Sequence, residues 1–251
     1  SSRRRHTRYI SVTGVQTCAL PISPAAESED AKRPFVEVSG RKGLGVKADD
    51  LLDTLIKKAG EEVRKRNSGL SDEDATKIAQ QIGIAAVRYF MIKFSRGKVI
   101  AFDLEEALSF AGESGPYIQY AVVRANKILQ KLEERDGTTE AALVSGLGDV
   151  PAGELTGDNG HELWALVLEA SRLDEIVEQV IRSPEFSVLA KFAFTLAQGF
   201  NTYYNLDPAR SSILNEERAD VRRWRAAAIL YVRNQLTKSL DLMGVEVPRL
   251  M

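Results

Sequence analysis

The sequence predicts a mainly α protein, an antiparallel helical bundle, and two observations carry that expectation. Apolar residues recur at helical spacing through most of the chain beyond Lys47, separated by polar or glycine-bearing breaks. The amphipathic stretches are long and the links between them short, so each apolar stripe needs another stripe to cover it. With 251 residues, 44% of them hydrophobic, the chain is long enough to bury such a core.

Taken in order, the elements begin with a short alternating run at Phe35 to Val38, closed by a loop carrying Gly40, Gly43 and Gly45. From Lys47 to about Arg66, Leu51, Leu52, Leu55, Ile56, Ala59 and Val63 define a helix whose first turn holds Asp49 and Asp50. Ser71 and Asp74 resemble a capping box and open a second helix that runs to about Phe90–Phe94. Val99 to Phe102 reads as a strand or an extended link, and Asp103 caps a short helix to Phe110. Beyond the break at Gly112 to Gly115, helices are expected at about 117–134, 138–147, 161–181, 184–204 and 216–243. The last has the clearest period, through Ala228, Val232, Leu236, Leu240 and Met243. The loop from Gly146 to Gly160 holds five glycines and is the longest break in the bundle.

The first 23 residues stand apart. They carry Arg3, Arg4, Arg5 and Arg8, and no acidic residue precedes Glu27, a composition that suits an organellar transit peptide. The stretch SVTGVQTCALPIS has no amphipathic period, however. The expectation preferred here is translated sequencing-adapter sequence joined to a truncated gene product. Residues 24–33, rich in Ala, Ser, Glu, Asp and Pro, read as a flexible link.

Charge and composition exclude several function classes. The net charge is −1, from 34 basic and 35 acidic residues, and falls to about −5 without the four leader arginines. Nucleic-acid binding must therefore depend on local basic faces. Cys18 is the one cysteine, and His6 and His161 are the two histidines, which is too little for a dedicated transition-metal site. No apolar run approaches the roughly 20 residues that cross a bilayer, and a soluble protein is expected.

Three constellations have the chemistry to bind something. Ser39-Gly40-Arg41-Lys42-Gly43 brings backbone N–H groups and cations together as a polyphosphate loop does, without the spacing of a Walker loop; a surface hairpin has the same composition. Tyr117, Tyr120 and Arg124 form a polar-tipped stripe suited to stacking on bases, or else the tyrosines belong to the core. Phe200, Asn201, Tyr203 and Tyr204 lie near a third group, Arg218, Arg222 and Arg225, spaced i, i+4 and i+7. Aromatics beside a positive stripe suit unpaired nucleotides, but Glu216, Glu217 and Asp220 also allow an ordinary ion-paired helix surface. No nucleophile and base arrangement is visible.

In order, the segments SGRKGLGVKADDLLD (Ser39 to Asp53), ALSFAGESGPYIQYAVVRAN (Ala107 to Asn126) and LDLMGVEVPRLM (Leu240 to Met251) resemble the C-terminal half of an arginyl-tRNA synthetase. The resemblance covers about Pro34 to Met251. It implies a class I enzyme that activates arginine with ATP, with Mg as its counter-ion, and esterifies the terminal ribose of its tRNA. It implies three segments: a non-native or disordered leader at 1–33, the end of a catalytic domain at 34–112, and an anticodon-binding bundle at 113–251. Ser39, Gly40, Arg41 and Lys42 would bind ATP, with Arg41 and Lys42 as the catalytic candidates. The usual Lys-Met-Ser-Lys is here Val-Ser-Gly-Arg followed by Lys42.

The same resemblance directs Tyr120, Arg124, Phe200, Asn201, Tyr203, Tyr204 and Met251 toward the anticodon loop, with Arg218, Arg222 and Arg225 as a supporting stripe. No His-Ile-Gly-His-type signature and no nucleotide-binding fold occur in the sequence. The expectation is a cytoplasmic, monomeric fragment that does not aminoacylate by itself, has no metal site and contacts no membrane. The competing expectations are a stand-alone tRNA-binding module and a helical interaction module.

Overall fold

The computed structural model describes residues 47–146, 148, 151, 153–155, 161–206 and 212–251, together with the backbone of 18–20 and 36–37. The phosphate-loop candidates Ser39, Gly40, Arg41 and Lys42 lie outside the described residues.

Helix α1 (Ala48–Arg66) carries Asp49 and Asp50 in its first turn and Arg64, Lys65 and Arg66 in its last, so both ends complement the helix dipole. Helix α2 (Asp72–Ile92) starts as expected at Ser71, whose hydroxyl accepts from Asp74 N–H at 3.1 Å and donates to the Asp74 carboxylate at 2.9 Å. The two pair through Leu55, Ala59 and Val63 against Ala75, Ile78, Ala79, Ile82 and Ala86, all buried. Strand β3 (Ile100–Ala101) resolves the Val99–Phe102 alternative as a strand. It pairs in parallel with β1 (Cys18–Leu20), which pairs antiparallel with β2 (Val36–Glu37), giving the order β2-β1-β3. Cys18–Leu20 thus forms a strand inside the expected leader; the other residues of 1–33 lie outside the described residues. Helix α3 (Leu104–Leu108) is capped by Asp103, which accepts from Glu105 and Glu106 N–H.

The bundle follows as α4 (Gly115–Asp136), α5 (Glu140–Ser145), α6 (His161–Ser171), α7 (Leu173–Arg182), α8 (Ser187–Tyr204) and α9 (Ala219–Leu242). Ser114 caps α4 and Pro116 occupies its first turn. Gly137, at φ 68°, ends it in the left-handed conformation. Gly115 is where α4 crosses α2: a Cβ there would lie 2.3 Å from the Ala85 carbonyl oxygen. The largest core joins Ile118, Val122, Leu129, Leu166, Leu196, Phe200, Ile229, Leu236 and their neighbours to Ala85 and Tyr89 of α2. A smaller core gathers Leu55, Phe90, Ile100 and Phe102.

Several helix ends differ from the sequence expectation by two or three residues, the helix expected from 184 starting at Ser187 and the short one expected to reach Phe110 ending at Leu108. The helix expected at 161–181 is interrupted at Arg172. The apolar period Leu163, Leu166, Ala170, Leu173, Ile176, Val180 passes through that break unchanged, which is why periodicity cannot detect it. The last helix begins at Ala219 and not at Glu216; Glu216 instead accepts from Arg218 N–H at 3.0 Å and pairs with Arg225 at 3.2 Å.

Residues 243–251 strap the bundle to the α1–α2 hairpin. Gln119, fully buried, donates to the Glu246 carbonyl at 2.6 Å and to the Gln81 carbonyl at 3.2 Å. Gln81 donates to the Glu246 carboxylate at 3.1 Å, and Arg249 pairs with Asp74 at 2.7 Å. Leu250 and Met251 pack against the core between α1 and α2 together with Phe110.

Candidate nucleic-acid interface

Helical spacing places Tyr120, Arg124, Lys127 and Lys131 on one face of α4. Opposite them stand Phe200, Tyr203 and Tyr204 at the end of α8, residues 212–215, and the C-terminal residues Arg249 to Met251. Together they line a groove of about 970 Å³. Among its described lining residues there are four cations, Arg124, Lys127, Lys131 and Arg249, and no Asp or Glu side chain. Arg249 is paired with Asp74; in a chain of net charge −1 the local excess left by Arg124, Lys127 and Lys131 favours an anionic ligand.

Arg124 organises the groove. Its guanidinium lies 4.6 Å from the Tyr120 ring centre and 4.4 Å from that of Tyr204. It donates to Asn201 Oδ1 at 2.9 Å and to the Tyr120 hydroxyl oxygen at 3.1 Å. The cation is thus held between two aromatic faces, each attracting it by its quadrupole. The series continues at both ends: Phe200 meets Tyr204 at a 40° tilt with ring centres 6.2 Å apart, Phe110 meets Tyr120 edge-on at 6.4 Å, and Arg66 lies 4.7 Å over Phe110.

Six of the predicted residues, Tyr120, Arg124, Phe200, Tyr203, Tyr204 and Met251, converge on this groove, and Asn201 joins through Arg124. Their accessibility differs. Tyr204 is 44% exposed, whereas Phe200, Asn201 and Tyr203 are buried and support the groove from beneath. Burial, the main cause, pushes the Tyr203 phenol up to about 12. Its hydroxyl has no hydrogen-bond partner among the described residues. Tyr117, the third member of the α4 stripe, belongs to the core and packs on Phe194 at 5.5 Å.

The expected cationic stripe of Arg218, Arg222 and Arg225 is corrected. Arg225 is 3% exposed and held between Glu154 at 3.2 Å and Glu216 at 3.2 Å. Arg222 pairs with Asp136 at 3.1 Å and Arg218 with Asp220 at 2.8 Å. The ion-paired reading of this surface is the one realised, because carboxylates from α4 and from the loop after α5 reach all but Arg218, which α9 itself neutralises. Lys127 and Lys131, which the sequence reading passed over, supply the open charge instead; the i, i+4, i+7, i+11 spacing from Tyr120 was the signal for them. Among the described residues no cluster of three His, Cys, Asp or Glu side chains is placed to hold a metal ion. No described helix is long and apolar enough to cross a membrane.

A helical bundle with this groove between the middle of α4 and the end of α8 has the architecture of an anticodon-binding domain. Residues 118–251, slightly more than half of the chain, match the DALR anticodon binding domain, and the chain belongs to that family. A shorter match, to the N-terminal region of translation initiation factor IF-2, covers residues 42–85, the stretch of α1 and most of α2. Among curated proteins the chain is 37% identical over 222 residues to the arginine–tRNA ligase of Pyrococcus abyssi, covering 88% of this chain and 33% of that protein. It is 35% identical over 222 residues to the arginine–tRNA ligase of Deinococcus radiodurans, covering 85% and 34%. The chain therefore spans about a third of the length of the curated relatives it matches.

Solved structures agree. The arginyl-tRNA synthetase of Thermus thermophilus superposes with a TM-score of 0.68 at 28% identity, over 82% of this chain and 32% of that one. The Plasmodium falciparum enzyme superposes at 0.64 with 16% identity, over 82% and 34%, a likeness of fold.

Proposed function

We propose that the chain is the tRNA-binding, C-terminal part of an arginine–tRNA ligase and that the groove between α4, α8 and the C-terminal residues receives the anticodon loop. The observation that carries this reading is the placing of Arg124 against the rings of Tyr120 and Tyr204 in a groove that, among the described residues, is lined by Arg124, Lys127, Lys131 and the Asp74-paired Arg249 and by no acidic side chain. Stacking on aromatic faces holds unpaired bases, and the lysines meet phosphates. Tyr204, exposed and at the rim, is the natural stacking surface; Tyr120 and Arg124 orient it, and Met251 closes the groove from the opposite side.

The whole enzyme attaches arginine to its tRNA at the expense of ATP, accompanied by Mg. In that reaction Ser39, Gly40, Arg41 and Lys42 serve the phosphates, with Arg41 and Lys42 stabilising developing charge. The nucleotide-binding fold belongs to a part of the enzyme that this sequence does not contain, so the chain binds tRNA without charging it. Its setting is the cytoplasm, as a monomer.

The test is a titration of the full chain with transcripts of an arginine tRNA and of the same tRNA with a scrambled anticodon loop. Preference for the first supports the reading, and equal affinity contradicts it. Arginyl-tRNA formed by the chain alone with arginine, ATP and Mg would overturn the assignment of catalysis to another part.

A further inference from the structure

One wall of the groove is made by residues 212–215, the first part of a segment, 212–217, that contains no regular helix or strand. Such a segment opens easily unless its backbone is tied down. Three guanidiniums tie it. Arg225 donates to the Ser212 carbonyl at 3.2 Å, Arg135 donates to the Leu214 carbonyl, and Arg222 donates to the Glu216 carbonyl at 2.6 Å. Each is in turn fixed by a carboxylate: Asp136 at the end of α4 takes both Arg135 and Arg222, and Glu154 takes Arg225 through two contacts at 3.2 and 3.3 Å. The planar fork of arginine can hold a carbonyl and a carboxylate at once, which a lysine ammonium does with far less geometric control.

We propose that Arg135, Arg222 and Arg225 are positioning residues that hold the 212–217 segment and so preform the wall its residues 212–215 give the groove, so that nucleic-acid affinity depends on them without their touching the ligand. The proposal rests on the reading of the groove as a tRNA site. It also gives the three-arginine pattern in the sequence a role other than direct phosphate contact.

The experiment uses the full chain with Arg225→Lys, which keeps charge and loses the fork, and Arg222→Gln, which removes charge. Amide hydrogen exchange and titration with an arginine tRNA transcript at several salt concentrations are measured on each. Faster exchange confined to 212–217 is expected, with affinity weaker by roughly tenfold, as loss of the outer support of a binding site produces. The slope of log affinity against log salt stays at its wild-type value, because no phosphate contact is lost.

A slope reduced by about one in Arg222→Gln would mean direct phosphate contact and would overturn the proposal. So would faster exchange of the wall with unchanged affinity. If Arg225→Lys does not fold, Arg222→Gln, whose side chain is partly exposed, carries the test. Lys131→Ala lies outside the clamp and reports on the groove alone. If it leaves affinity unchanged, the groove reading fails and the proposal with it; if it weakens binding while Arg222→Gln does not, only the clamp is overturned.

Discussion

The Arg124 guanidinium lies 4.4 Å from the ring centre of Tyr204, and this contact joins the middle of α4 to the last turn of α8 at the mouth of the groove. One partner is a cation already bound by the Tyr120 hydroxyl and by Asn201; the other is the groove's most exposed aromatic side chain. The pair therefore presents a ring that a fixed cation holds and that remains substantially exposed.

Replacing that ring separates binding from folding. Tyr204→Ala removes a stacking surface worth about 1–3 kcal/mol per base, so tRNA affinity falls by about 5- to 150-fold. Tyr204 is half exposed, so the thermal midpoint changes little. Tyr204→Phe retains the affinity. Anisotropy titrations and melting curves of both variants check this.

The open lysines set the salt dependence. Lys127→Ala and Lys131→Ala are each expected to reduce the slope of log affinity against log salt by about one, with the weakening shared across tRNA sequences. Titrations at four or five salt concentrations read the slopes directly.

Tyr203 makes the bundle sensitive to strong base. Its folded pKa of about 12 exceeds the ordinary value of 10.0, so the folded state keeps a proton that the unfolded chain loses. Stability from this group is complete below pH 10 and declines by about 1.4 kcal/mol per pH unit between pH 10 and 12. Tyr203→Phe deletes a buried hydroxyl without a partner among the described residues; it is expected to be neutral or stabilising by about 1 kcal/mol at pH 7 and to flatten the decline. Urea melts of both proteins from pH 8 to 11.5 decide the matter.

Among the described glycines, Gly115 is the one packed most tightly against another backbone segment. Gly115→Ala forces a methyl group against the Ala85 carbonyl and is expected to cost about 3 kcal/mol or more, by driving α4 away from α2. Because α4 carries Tyr120 and Arg124, tRNA affinity falls with stability in this variant. Melting curves and titrations together show it.

The sequence made much of this legible, for identifiable reasons. Ser71 and Asp103 cap helices because their side chains answer local backbone N–H groups, and local rules are readable from spacing. Tyr120 and Arg124 are legible because an aromatic and a cation share one face of α4, and Tyr204 because aromatics cluster at the end of α8. The fate of Arg225 was not legible. Its partner Glu154 lies 71 residues away in a glycine-bearing loop, and no spacing rule links two such positions. The break at Arg172 escaped notice for the opposite reason, since the apolar period continues across it.

The location of the bound tRNA tests the central claim most directly. Photo-crosslinking an arginine tRNA transcript, labelled in its anticodon loop, to the full chain and mapping the crosslinked peptides by mass spectrometry should recover peptides containing Tyr120 to Lys131 and Tyr204. Crosslinks confined to α1, α6 or α7, with none on those peptides, would contradict the account.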